Sequence, residues 1–372
     1  MQMLFKYCRI FLLITVLLFS ASRILANEAE KDTSSSKENG KTEEKFKPGS
    51  FIIEHVLDNH EWHIAEIGGT PISIPLPIIT YSYKQGKLLF FMSSKFHHGH
   101  ASYNGLRISE EAPNKGKIVE VLDDGETIDE NAKIPLDFSI TKNVLELFII
   151  CLFILWVFIS VAKSYKTRKN LAPKGLQSWI EPLILFVRDD IARPSIGHKH
   201  EKYLPYLLTV FFFIFFTNLL GLIPVFPGGA NLTGNIAVTM VLALFTFAIT
   251  SFNANANYWK HLINAPGVPW WLKIPLPLMP IVEIIGVFTK PFVLMVRLFA
   301  NITAGHIIAL GFFSLIFIFG EMSPGAGYGI SVLSVIFTIF MSFLELLVAF
   351  IQAYVFTLLS AIYFGLATEE HH

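Results

Sequence analysis

The sequence predicts an all-α polytopic membrane protein, with about five transmembrane segments and long tilted C-terminal helices, preceded by a small β-rich extracytoplasmic region. Three observations carry this. The 372-residue chain is 53% hydrophobic, has a mean hydropathy of +0.53 and holds 35 Phe, as expected of a chain whose solvent is largely lipid. Charge is concentrated near the N-terminus and nearly vanishes over long stretches beyond residue 143. Those stretches form apolar runs of membrane-spanning length, whereas residues 50–140 hold short runs broken by Gly and Pro.

Taken in order, residues 1–26 read as a secretory signal: Lys6 and Arg9, then the apolar core Ile10–Phe19, then small residues ending at Ala26. That core is far shorter than the roughly 20 residues a spanning helix needs. Residues 27–49 are polar, mixed in charge and without apolar period, the pattern of a disordered linker. Residues 50–140 form the extracytoplasmic extension, where Ile72-Ser73-Ile74-Pro75-Leu76 and Lys87–Met92 read as strands. Residues 141–372 form the membrane domain. Its apolar segments are Val144–Ala162, Tyr206–Val225, Ile236–Phe252, Leu276–Phe319 and Ile330–Leu366. The last two exceed one ordinary span and read as long tilted helices, kinked helices or helix pairs. Pro277, Pro280 and Pro291 predict breaks in the fourth.

Orientation follows from basic residues in the loops. The loop from Lys163 to Tyr203 carries nine Lys or Arg, and the next, Phe226 to Gly234, carries none. The first is expected in the cytoplasm and the second outside, which puts the N-terminal region outside and the C-terminus in the cytoplasm. The zero formal charge argues against a nucleic-acid partner. Two cysteines, one of them in the leader, leave no intrachain disulfide in a processed chain and no Cys-based zinc site. The histidines at 55, 60, 63, 97, 98 and 100 lack a fixed ligand spacing, so no metal is assigned. No phosphate-binding glycine loop occurs; no cofactor is expected, and nucleotide chemistry would belong to another chain.

An ionisable group within hydrocarbon costs about 2.5–3.5 kcal/mol on insertion scales, and persists where it pairs or lines a water-filled path. Here those groups are Glu283, Lys290, Arg297, His306 and Glu345, accompanied by Asn218, Asn235, Asn301, Gln352 and Tyr363. Glu283, Lys290 and Arg297 recur every seven residues, so an unbroken helix puts them on one stripe. Asn301 shares the Arg297 face, while His306 is turned to the opposite side. Glu345, Gln352 and Tyr363 likewise return to nearly one face. Glu and His exchange protons, and Arg does not. A fixed cation flanked by titratable groups reads as a barrier between two aqueous routes for protons. Lys290 could equally snorkel to the interface, and Glu345 could be a structural partner of Lys290 or Arg297.

The segment Arg297-Leu298-Phe299-Ala300-Asn301-Ile302-Thr303-Ala304-Gly305-His306 resembles the signature of the F-type ATP synthase a-subunit family. So do Phe343–Leu359 and Thr217-Asn218-Leu219-Leu220-Gly221-Leu222-Ile223-Pro224, and the ending from Ala367 to His372 is similar. The resemblance implies that Arg297 is the essential arginine facing carboxylates of a rotating c-ring. It implies that His306 and Glu345 belong to aqueous half-channels lined in part by Asn301, Gln352 and Glu283. Many bacterial members carry an acidic group where His306 stands and a His where Glu345 stands, so this chain exchanges the pair. The implied partners are the c-ring, the subunit b peripheral stalk and the remaining F0 and F1 subunits, in a bacterial inner membrane. The alternative reading is a self-contained proton-coupled transporter, which would predict internal repeat symmetry; none is visible. The resemblance does not cover the region before about residue 140.

Overall fold

The structure is a computed structural model that describes residues 58–368, apart from 68–69, 100, 110–113, 123–126, 130–131, 168–170, 224–227, 230–231, 257 and 260–277. The expected signal (1–26) and linker (27–49) lie outside the described residues.

Seven short strands come first: β1 (Glu61–Ile67), β2 (Thr70–Pro75), β3 (Pro77–Ser82), β4 (Lys87–Met92), β5 (Leu106–Ile108), β6 (Ile118–Glu120) and β7 (Leu136–Asp137). β1–β2 and β5–β6 are antiparallel hairpins, and β4-β3-β7 is a three-stranded sheet. Along β3, Ile78, Thr80 and Ser82 point inward in strict alternation. Ile78 joins Phe91, Phe96, Leu106 and Ile118 in a small core, where Phe91 and Phe96 meet edge to face at 5.2 Å. The expected β-rich region is therefore present, with both predicted runs in strands.

Then come the helices α1 (Lys142–Thr167), α2 (Leu176–Phe186), α3 (Arg193–Ile196), α4 (His200–Gly221), α5 (Ile236–Phe252), α6 (Leu278–Met322) and α7 (Pro324–Thr368). A π-helical turn over Val187–Ala192 and a 3-10 turn over Gly197–Lys199 join α2, α3 and α4. Four helical stretches among the described residues are long and apolar enough to cross a membrane, and α5 is a shorter fifth. The protein is thus mostly helical and polytopic.

The sequence reading needs two corrections. The expected break at Pro291 is absent, since α6 runs through it as one 45-residue helix; Pro280 falls in the first turn of that helix, and Pro277 lies outside the described residues. Proline removes one backbone donor and displaces one carbonyl bond, a loss that neighbouring helices absorb in membrane proteins; here α5 and α7 both pack on α6. The basic stretch 163–203 is not a simple loop either, because from Leu176 onward it is helical and continues into α4. Its charges occupy one exposed side, with Ile180, Val187, Ile191 and Ala192 buried beneath.

The main core joins all the long helices. Phe211, Phe212, Phe213 and Phe216 of α4 pack with Ile150, Ile154 and Val157 of α1, Val241 of α5, Leu294 and Leu298 of α6, and Phe356 and Phe364 of α7. Tyr203 stacks on Phe364 with centroids 4.9 Å apart. At one end, α7 crosses so close to α3 that a Cβ on Gly365 would run into the Ser195 carbonyl oxygen. Only backbone without a side chain fits there. Toward the other end α6 and α7 leave the core and pack mainly on each other, with Phe312 stacked on Phe337 and a Gly320–Gly327 backbone approach. At 1.5 Å per residue each helix is about 68 Å long, so a hydrocarbon layer of about 30 Å holds them only at steep tilt.

Candidate functional site

α6 and α7 are antiparallel, and their register brings the singled-out residues together in successive rungs. At the first rung Lys290 Nζ lies over the Tyr363 ring, 5.4 Å from its centroid. At the second, Arg297 and Gln352 line one crevice with Leu294, Leu298 and Phe356. At the third, Gly305 faces Glu345, whose Oε1 lies 2.9 Å from where a Cβ on residue 305 would stand. Each step up α6 is matched by a step down α7, so two separate polar stripes become a single seam.

The seam is asymmetric. Arg297 and Asn301 are exposed on one face of α6, together with Val293, Val296, Ala300 and Ala304. Leu294, Met295 and Leu298 on the other face are buried in the core. Arg297 forms no ion pair among the described residues, although its charge reaches the Tyr363 hydroxyl. Behind it Gln352 is 5% exposed, and among the described residues neither of its amide atoms, nor Glu345 Oε1, nor Thr303 Oγ1 has a hydrogen-bond partner. Buried polar atoms are rarely left so, since each costs about 1–3 kcal/mol unless water or another chain meets it. A fixed cation on an outward face, backed by unpaired polar groups, can hold an anion of a partner surface and exchange protons beside it.

Other singled-out residues stand elsewhere. Asn218, near the end of α4, accepts from Thr233 Oγ1 at 2.7 Å, and its amide nitrogen has no partner among the described residues. Asn235 caps α5, accepting from the Ala237 N–H at 3.0 Å. The backbones of Glu283 and His306 continue α6, but their side chains lie outside the described residues, as do the last four residues of the family-like ending.

Sequence reasoning missed two groups. Thr246 of α5 is hydrogen-bonded to Tyr206 of α4 at 2.9 Å and to Ser360 of α7 at 3.2 Å, tying three helices together beside the Lys290–Tyr363 rung. Hydroxyls carry no signal of their own in an apolar run. Lys142 and Glu146 in the first turns of α1 are the second group, fully or nearly buried. Their spacing of four was readable, but the predicted segment began at Val144, which left Lys142 outside it, and Glu146 within it was not singled out.

A polytopic bundle whose longest two helices carry, along one seam, a glutamate, a glutamine and an arginine with no ion pair among the described residues belongs to the ion-translocating membrane proteins. Comparison with known families makes this specific. The ATP synthase A chain family matches residues 144–365, and the chain belongs to that family. Residues 51–138 match a second family, described as a domain of unknown function, DUF8433. Over 240 residues the chain is 48% identical to ATP synthase subunit a 2 of Chlorobaculum tepidum, covering 63% of this chain and 64% of that protein. It is 44% identical over 243 residues to ATP synthase subunit a of Chloroherpeton thalassium, covering 63% and 69%. Against ATP synthase subunit a of Myxococcus xanthus it is 43% identical over 244 residues, covering 64% and 75%.

Proposed function

We propose that this chain is the stator half of a proton-driven rotary motor, offering two aqueous half-channels that meet at Arg297 on the face presented to a c-ring. The observation that carries the reading is the exposed Arg297 on the α6 face, without an ion pair among the described residues, backed by Gln352 and lying between the Lys290–Tyr363 and Gly305–Glu345 rungs. A ring carboxylate that arrives neutral from lipid loses its proton opposite this cation, which favours the ionised form. Arg297 itself holds no transferable proton at ordinary pH, so protons cannot pass it from one half-channel to the other. They cross only by riding the ring. Each charge gains about 2.3 kcal/mol per 100 mV, so one ATP requires several protons collected by rotation.

Glu345 is the proton carrier of one half-channel in this reading, with His306 on the same route, Asn301, Gln352 and Glu283 lining the paths, and Asn218 at an outer mouth. Lys290 and Tyr363 form the opposite, cytoplasmic rung. Membrane orientation follows the basic stretch 163–203, with the N-terminal region outside and the C-terminus inside. Assembly with a c-ring, a subunit b stalk and the remaining F0 and F1 subunits in a bacterial inner membrane completes the proposal.

The test is ATP-driven proton pumping in vesicles containing the assembled complex. Glu345→Gln is expected to slow pumping per complex on the order of tenfold, below the 10²–10⁴ of a sole positioned proton carrier, because water shares the route. Gly305→Ala pushes the same carboxyl aside and should give a smaller loss with assembly intact. Unchanged pumping in both variants would remove Glu345 from the route. Proton flux through the purified chain alone would favour a self-contained transporter.

A further inference from the structure

Glu146 is the one carboxylate among the described residues that lies wholly inside the main bundle yet belongs to none of the rungs. Its relative exposure is 0%, and neither oxygen has a hydrogen-bond partner among the described residues. It sits in the second turn of α1, about 6 Å along the axis from Lys142. The backbone of Leu232 faces its carboxylate, and the charges of Lys142 and Asp58 act on it. Leu232 is followed by Thr233, which donates to Asn218, so Glu146 lies beside the connection that carries the Asn218 contact. On the other side, the extension reaches the same spot. Asp58 accepts from Thr141 Oγ1 at 2.8 Å and from the Asn143 N–H at 3.1 Å, while the Lys142 N–H donates to the Asn59 carbonyl at 3.0 Å.

We infer that Glu146 is a proton-carrying group at the mouth of the outer half-channel, with Asp58 of the N-terminal extension and Lys142 forming the entrance that leads to it. The inference rests on the proton-path reading above. A carboxylate isolated in apolar packing would be costly. A lysine one turn away lowers the cost of the ionised form without removing it. Asp58 supplies a negative charge at the surface, which raises the local concentration of cations such as hydronium. The step is a simple exchange. Glu146 binds a proton as an O–H bond, then releases it to water or to the polar groups around Thr233 and Asn218, and the carboxylate is restored. The extension acquires a role here: it positions the entrance acid on the first membrane helix.

The rival is a structural Lys142–Glu146 pair, which would affect assembly but not flux per assembled complex. The experiment uses vesicles of the complete complex and measures both ATP-driven pumping and ATP synthesis driven by an acid exterior, each normalised to assembled complex. Glu146→Gln is expected to lower both by about tenfold, Glu146→Asp to restore most of the rate, and Asp58→Asn to give a lesser loss seen mainly in synthesis. Wild-type rates in Glu146→Gln would overturn the inference. Arg297→Ala in the same series separates the two levels: if it too pumps normally, the proton-path reading itself has failed. Should Glu146→Gln not assemble, Glu146→Cys with Cys8 and Cys151 replaced by Ala is exposed to silver ions from the outer side. Inhibition supports a hydrated path to residue 146, and insensitivity overturns it.

Discussion

Arg297→Ala is expected to abolish coupled proton pumping while leaving the complex assembled. The side chain contributes little to the fold: it is exposed, has no ion pair among the described residues, and its neighbours Leu294, Met295 and Leu298 pack without it. Its contribution is a fixed positive charge on a surface whose other exposed members are Asn301 and the apolar Val293, Val296, Ala300 and Ala304. Removing preorganised charge of this kind costs on the order of 10²–10³ in rate where charge develops, so ATP-driven pumping should fall by at least about 10²-fold. Passive proton leak should not fall with it, and a rise would follow from losing the barrier between the half-channels. Pumping and leak measured in the same vesicles separate these effects. Arg297→Lys keeps the charge but not the planar fork or the reach, and should recover little of the coupling.

The largest structural effect is expected at the other end of the same seam. Gly365→Ala places a carbon where the Ser195 carbonyl oxygen already stands, and backbone cannot step aside as a side-chain tip does. Overpacking of this sort costs about 1–3 kcal/mol, occasionally more. Here relief requires α7 to lift away from α3, which also disturbs the Tyr203–Phe364 stack and the hydrogen bonds from Asn255 to Ala367 and Thr368. The amount of subunit recovered in assembled complex should drop severalfold, whereas Ile362→Ala, on an exposed position of the same turn, should leave it unchanged. Equal recovery of both variants would mean that the α3–α7 crossing does not hold the last helix.

Much of this architecture was legible in the sequence, for identifiable reasons. α5 was read to its end residues because an uncharged, largely apolar run is bracketed by Asn235 and Asn253, whose side chains bond the terminal backbone groups. The strands β2 and β4 followed from the short apolar runs 72–76 and 87–92 between turns. Proline misled at Pro291, since its penalty was weighed for an isolated helix and not for one supported by α5 and α7. Charge misled over 163–203, where basic residues mark a side of the membrane but do not forbid a helix.

The site was readable as two stripes, not as a seam. Periodicity places Arg297 with Asn301, and Glu345 with Gln352, on their own helices. Which residue meets which across the pair depends on where the chain turns, at Ser323 between α6 and α7, and on the close approach that Gly320 and Gly327 allow. Glu146 was harder still, because its significance comes from the extension and the connection before α5 closing over it. Neither is adjacent in sequence.

The central claim is that the α6 face bearing Arg297 meets a rotating ring. Cysteine cross-linking in membranes tests it most directly, pairing Asn301→Cys on that face, or Phe313→Cys on an exposed position turned away from it, with a cysteine placed one turn from the ring carboxylate. The account predicts a cross-link from position 301 that stops ATP-driven rotation and is reversed by reductant, and none from position 313. A cross-link from 313 with none from 301 would contradict it.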